Sequence, residues 1–246
     1  MQDKETGIIR VQETDSTNNY IRQILSERDL KEGSIVIADS QTAGRGQSGN
    51  FWESEQGKNL TFSMIIYPNF IPANRQFIIS QTVALSIQKT LNEYINGITV
   101  KWPNDIYWKE KKICGILIEN DLAGINILNS ILGVGININQ KTFRSNAPNP
   151  VSLSQITNVE YNLDEVLQRF RKHFYALYLS LVQGKAKEIR DEYLSVLYRR
   201  EGFHYYRDNC GDFKAEIKDI SPTGQLLLRL PDNTTRKYAF KEVAFI

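Results

Sequence analysis

Apolar residues recur along the chain in two rhythms, and the elements follow from where one gives way to the other. IIRVQE and SIVIADS, the latter from Ser34 to Ser40, are short β-branched runs that predict strands. Between them, TDSTNNYIRQILSERD supplies capping side chains and then Tyr20, Ile21, Ile24 and Leu25 at helical spacing, which predicts a helix with one apolar face. NLTFSMIIY predicts a further strand. ANRQFIISQTVALSIQKTLNEYI, from Ala73 to Ile95, is long and regular enough for a buried helix ended by Gly97. ITVKWPND, DIYWKEKKICGILIE and NSILGVGININ predict three strands, the second interrupted by a charged turn at KEKK. A loop from Gln140 to Ser152 precedes two helices, LDEVLQRFRKHFYALYLSLVQG and KAKEIRDEYLSVLYR, expected to cover a sheet. From about Arg199, short strands are punctuated by Pro-Thr-Gly and Pro-Asp-Asn turns, as in a small β-barrel. The expectation is an α+β fold: a mixed sheet with packed helices over 1–198 and a small β-domain over 199–246.

Composition narrows the function classes. With 246 residues, 41% of them hydrophobic, the chain can bury a full core and has room for a large unit and a small one. A formal charge of +2 is too balanced for nucleic-acid binding by bulk electrostatics. Two cysteines far apart and two histidines offer no structural zinc set. The N-terminal MQDKETG has no apolar signal core, and no apolar run approaches the roughly 18 residues of a membrane span. The reduced cytosol is the expected setting, with no membrane partner.

The chemistry centres on QTAGRGQSGNFWESEQGKN, where GRGQSG fits the glycine pattern that cradles phosphates. A dinucleotide fingerprint would open a helix on its last glycine. Here a second strand follows instead, so that reading fails. A kinase would need H-R-D and D-F-G downstream, and His173 and His204 sit in KHFY and FHYY. KWPNDIYWKEKKICGILIE places Lys101, Asn104, Asp105 and Lys112 around two strand patterns, with Pro103 breaking the ladder and Gly115 permitting close backbone approach. Taken singly, each segment has a bland alternative: a surface hairpin for GRGQSG, a turn for WPND, a helix cap for TDSTNN, a satisfied core amide for Asn137.

In this order the segments resemble one family. STN, GRG..G..W.S..G.NL, KWPND, K.CGIL.E and G.GIN, from about Ser16 to Ser154, are similar to the biotin protein ligases. The resemblance implies a biotin/lipoate ligase type of catalytic domain followed by an SH3-like barrel. It also implies the reaction. Biotin is activated by ATP as biotinyl-5'-AMP with release of pyrophosphate, then passed to a lysine of a biotin carboxyl carrier domain. Magnesium would arrive with the triphosphate, with no protein ligands assigned to it, and the resemblance leaves monomer and homodimer open.

Roles follow residue by residue from the same resemblance. Arg45, Lys112 and Asp105 are the implied catalytic groups: two cations to neutralise phosphate and carboxylate charge, and a carboxylate to orient or deprotonate the incoming lysine. Ser16, Thr17, Asn18, Gln41, Arg45, Gly46, Gln47, Lys112, Gly115 and Ile116 would hold biotin. Gly44, Arg45, Gly46, Gly49, Trp52, Asn104, Lys112, Asn137 and Phe143 would hold ATP and the adenylate.

Two departures qualify the resemblance. Many members begin with a DNA-binding helix-turn-helix domain, whereas here STN comes almost at once, so DNA binding is not expected. Common loops read GRGRRG, and this one has Gln47 and Ser48 in place of two arginines. Two competing functions remain: a lipoate or octanoate ligase of the same fold, and a non-enzymatic regulator that binds biotin without turning over ATP.

Overall fold

Parallel strands need a crossover, and the first helix supplies one. The computed structural model describes residues 2–3, 7–145 and 148–246. Most of the MQDKET terminus, residues 146–147 of the predicted 140–152 loop and the Ser48 side chain lie outside the described residues. β1 (Gln2–Asp3) and β2 (Ile8–Thr14) lead into α1 (Thr17–Glu27), which returns the chain to β3 (Ile35–Gln41), parallel to β2. β4 (Leu60–Ile66) then pairs antiparallel to β3, so the glycine segment joins strand to strand as predicted. α2 (Phe77–Asn92) is shorter than expected because Ala73–Arg75 forms a separate 3-10 turn and Gly97, at φ +85°, stands beyond the helix end.

The three predicted strands resolve into four: β5 (Ile98–Lys101), β6 (Asp105–Trp108), β7 (Lys111–Ala123) and β8 (Asn126–Ile136). KEKK is a full reversal rather than an interruption, with Lys109 at φ +51°. Pro103 separates β5 from β6, and the Trp102–Pro103 peptide is cis. The sheet order is β1-β2-β3-β4-β8-β7-β6-β5, mixed as expected. α3 (Leu153–Thr157) escapes hydrophobic periodicity because it is one turn long, although Ser152 and Gln155 form a capping box around its start. α4 (Leu163–Val182) and α5 (Ala186–Ser195) complete the large unit. Beyond them, β9 (His204–Asp208), β10 (Gly211–Ile220), β11 (Leu226–Arg229), β12 (Thr235–Tyr238) and β13 (Ala244–Phe245) form the SH3-like sheet, order β12-β11-β10-β9-β13.

Both faces of the large sheet are covered, which explains why every residue of β4 is buried. Leu60, Phe62, Met64 and Ile66 point into the main core with α2 and α4, while Ile65 joins Ile21, Ile24, Val36 and Ile131 in a smaller cluster under α1. Alternation then puts Thr61 and Ser63 on the α1 face as well. α1 covers only part of that face. Where it ends, the sheet carries small and polar residues, and a cleft opens. Among the described residues no helix is long and apolar enough to cross a membrane.

Candidate functional site

The cleft floor is one row of cross-strand partners. Thr61 on β4 pairs with Gly135 on β8, Gly135 with Gly115 on β7, Gly115 with Asp105 on β6, and Asp105 with Lys101 on β5. Directly opposed residues share a face, so these five point the same way. Glycine at the two central positions leaves a trough. The Trp52 indole lies in it: a Cβ on Gly135 would stand 2.3 Å from Trp52 Cε2, and one on Gly115 2.9 Å from Cζ3. Trp52 Nε1 is buried there without a protein partner.

Lys112 should face the core by simple alternation from Gly115, three residues on. A β-bulge at Ile113 resets the alternation and turns it toward the cleft. There Lys112 Nζ lies 2.6 Å from Asp105 Oδ1 and 5.6 Å from the Trp52 ring. The stretch just ahead of α3 fixes its backbone: Lys112 N donates to Asn149 O and Val151 N donates to Lys112 O, both at 2.9 Å.

The next row, Ser63–Gly133–Leu117, meets the start of α1. Ser63 Oγ lies 2.7 Å from Thr17 Oγ1 and 2.5 Å from Asn18 Oδ1. Thr17 N donates to Gln41 Oε1 at 2.8 Å. Asn18 Nδ2 donates to Glu119 Oε2 at 2.7 Å, and the same carboxylate oxygen accepts from Arg45 Nη2 at 2.9 Å. The result is a polar corner in which Ser16, Thr17 and Asn18 are nearly inaccessible to water. Glu119 organises it. Its position was visible as the final residue of K.CGIL.E, but nothing in the sequence showed that the carboxylate would turn back onto α1 and the glycine loop.

Most of these residues, though not Ser63 or Glu119, line a cleft of about 600 Å³. Ser16, Thr17, Asn18, Gln41, Arg45, Gly46, Gln47, Trp52, Asn104, Asp105, Lys112, Gly115 and Ile116 all face it. Gly44, Gly49, Asn137 and Phe143 do not. Gly44 supports the loop from behind, its carbonyl accepting from Trp52 N at 2.9 Å. Asn137 follows β8 and donates from Nδ2 to Val151 O at 3.2 Å, while its Oδ1 has no protein partner. Asn104 reaches the cleft but spends its amide on Ile116 O at 2.5 Å, clamping β6 to β7. Arg45, expected on a phosphate, is held by Glu119.

Sequence reading missed the barrel's share of the cleft. Phe240, Lys241, Val243, Ala244 and Phe245 line it from the side opposite the glycine loop. Lys101 and Trp102 also line it. Burial pushes the Lys101 ammonium below its ordinary pKa, an effect that the Asp105 carboxylate opposes. Among the described residues no group of three His, Cys, Asp or Glu is placed to hold a metal.

The model of the Biotin/lipoate A/B protein ligase family matches residues 9–137. The bifunctional ligase/repressor BirA of Bacillus subtilis is 36% identical over 118 residues, 48% of this chain and 36% of that protein, so the match spans about a third of the relative's length. The biotin--[acetyl-CoA-carboxylase] ligase of Paracoccus denitrificans is 25% identical over 228 residues, covering 89% of this chain and 92% of that one. Among solved structures, biotin protein ligase from Aquifex aeolicus in complex with biotin and ATP superposes with a TM-score of 0.79 at 25% identity, covering 97% of this chain and 98% of that chain.

Proposed function

The chain belongs to the biotin/lipoate A/B protein ligase family, and from that premise we propose that it is an ATP-dependent biotin protein ligase, acting on a lysine of a biotin carboxyl carrier domain. One observation carries the reading. Segments as far apart as Ser16 and Ile116, read in sequence as parts of one motif series, converge on a single cleft with a paired lysine and aspartate in its floor.

In the first step a biotin carboxylate oxygen attacks the α-phosphorus of ATP, the bond to the bridging oxygen breaks, and pyrophosphate leaves. Two anions must meet, so cations must offset their repulsion. Lys112 is the cation we assign to the reacting phosphate and carboxyl oxygens, and Arg45 supplies a second from the loop. The polar corner of Thr17, Asn18 and Gln41 suits the ureido ring of biotin, which needs donors and acceptors at fixed angles. The Trp52 indole, seated in the glycine trough, offers a flat apolar surface. In the second step the lysine nitrogen attacks the mixed-anhydride carbonyl carbon and AMP departs. Asp105 is the carboxylate in position to orient the ammonium and take its proton.

Magnesium belongs to the ATP in this scheme. Asp105 in the cleft and Glu119 beside it are each already ion-paired, and no step is assigned to a protein-held metal. The cytosol is the proposed setting.

A lipoate or octanoate ligase would use an acid with no ureido ring, which the polar corner does not favour. Purified protein with ATP, magnesium and labelled pyrophosphate should exchange label into ATP when biotin is added, and not with lipoate or octanoate. Label from biotin should then appear on the carrier lysine. Exchange with lipoate alone would replace this reading by the alternative, and biotin binding without exchange would leave a regulator.

A further inference from the structure

The segment from Lys101 to Asp105 ties the barrel to the cleft floor. Trp102 Nε1 donates to Gly224 O in the barrel at 2.8 Å, and its ring lies 6.4 Å from that of Phe240. Asn104 clamps β7 at Ile116, from which Ile116 N returns a bond to Asn104 O at 3.0 Å. Asp105 holds Lys112. Lys101 has no task in the scheme above, yet it ends the row that forms the floor and is the direct cross-strand partner of Asp105.

Its ammonium sits among three aromatic rings. Lys101 Nζ donates to Tyr107 Oη at 3.2 Å and lies 4.6, 5.7 and 5.4 Å from the ring centroids of Tyr107, Tyr198 and Phe245. The rings come from three places: β6, the segment after α5, and β13 in the barrel. They also contact one another, Tyr198 lying 5.4 Å from Tyr107 and 6.1 Å from Phe245. Tyr198 is anchored in turn beside β5, its N–H donating to Val100 O at 2.8 Å. Among the described residues Lys101 makes no ion pair.

A half-buried cation that makes no ion pair loses hydration that the Asp105 carboxylate only partly offsets, and a hydrophobic residue of similar size at such a place is often neutral or stabilising. Space-filling therefore does not account for a lysine. An ammonium that donates to Tyr107 and is attracted by three ring faces has its position fixed by direction and charge as well as by volume.

We propose that Lys101 is a positioning residue for the reaction centre: through a three-ring cage, one ring of which belongs to the barrel, it fixes the β5–β6 turn and so aims Asp105 at Lys112. The inference rests on the ligase reading above. It makes the barrel a determinant of rate as well as a wall of the cleft.

Three variants of the full chain test it: Lys101→Met, Lys101→Arg and Phe245→Leu. Each is assayed for kcat and KM in biotin-dependent pyrophosphate exchange, for biotin affinity by calorimetry, and for Tm. Lys101→Met is expected to lower kcat at least tenfold, with biotin affinity within threefold and Tm unchanged or raised. Arginine keeps the charge and can stack on aromatic faces, though with a different shape, so Lys101→Arg should recover part of the lost rate. Phe245→Leu, which removes the barrel's ring and leaves the charge, should give a smaller loss in kcat. The inference is overturned if Lys101→Met keeps kcat within twofold, if it fails to fold or loses rate only in step with Tm, if arginine restores nothing, or if Phe245→Leu leaves kcat untouched. Absence of biotin-dependent exchange in the unmodified chain would instead overturn the functional reading.

Discussion

Lys112 Nζ and Asp105 Oδ1 stand 2.6 Å apart on neighbouring strands, with about a quarter of each side chain, 26% and 24%, open to solvent. Water still reaches the pair, so it adds little to stability. Its value lies in placing one positive and one negative group at the same point of the cleft.

Replacing Lys112 by alanine should therefore leave the fold intact, since Asp105 can be hydrated where it stands. The rate of adenylation should fall roughly a hundredfold to a thousandfold, the usual cost of losing one donor to developing charge. Circular dichroism and pyrophosphate exchange separate the two effects. A loss below about threefold would remove Lys112 from the chemistry.

Glu119→Gln tests the polar corner at a residue that has no proposed step of its own but holds Arg45, the loop's cation. The carboxylate accepts from Asn18 and Arg45 and lies 3.9 Å from Arg22 Nε. Charge-assisted bonds are about twice as strong as neutral ones, so the amide should loosen both partners and weaken biotin binding roughly tenfold, about 1.4 kcal/mol. Calorimetric titration with biotin measures it. Unchanged affinity would mean that α1 and Ser63 suffice to orient Asn18.

Gly133→Ala probes the same corner from below. The new Cβ would stand 2.5 Å from Asn18 Oδ1 and 2.9 Å from Leu117 O. The amide can rotate away, but the carbonyl belongs to the neighbouring strand and cannot yield without disturbing the ladder. Overpacking of this kind costs about 1–3 kcal/mol, and biotin affinity should fall at least tenfold with it. An alanine variant with full affinity and unchanged Tm would show that the site tolerates a displaced Asn18.

What could be read in advance depends on whether a local signal existed. GVG carries period-two spacing, so Gly133 and Gly135 had to share a face. The strand-to-strand setting of the glycine loop was equally legible, because no helical rhythm follows Gly49. The bulge at Ile113 left no such trace: KKICG scans as plain alternation, and only pairing with β6 shows that Lys112 turns toward the cleft. Phe240 and Phe245 were hidden for a related reason. Their side chains reach the cleft only once the barrel docks on Trp102, through contacts more than a hundred residues apart in sequence, such as Trp102 Nε1 with Gly224 O.

Gln47 lines the cleft at the start of a 3-10 turn that ends at Gly49. An amide can donate to an adenylate phosphate but adds no charge, and Arg45, the loop's own cation, has Glu119 to satisfy. Gln47→Arg should therefore slow escape of biotinyl-AMP, by about tenfold if the added contact is near 1.4 kcal/mol. The rate at which labelled adenylate leaves the purified protein checks this directly. An unchanged rate would place the compensating charge elsewhere in the cleft. Arg144, in the loop from Gln140 to Ser152, lines a separate depression with Lys58, Lys141 and Glu160 rather than the cleft. Lys241 of the barrel does line the cleft, so Lys241→Gln in the same assay would then accelerate escape, and the charge missing from the glycine loop would have been moved to the opposite wall.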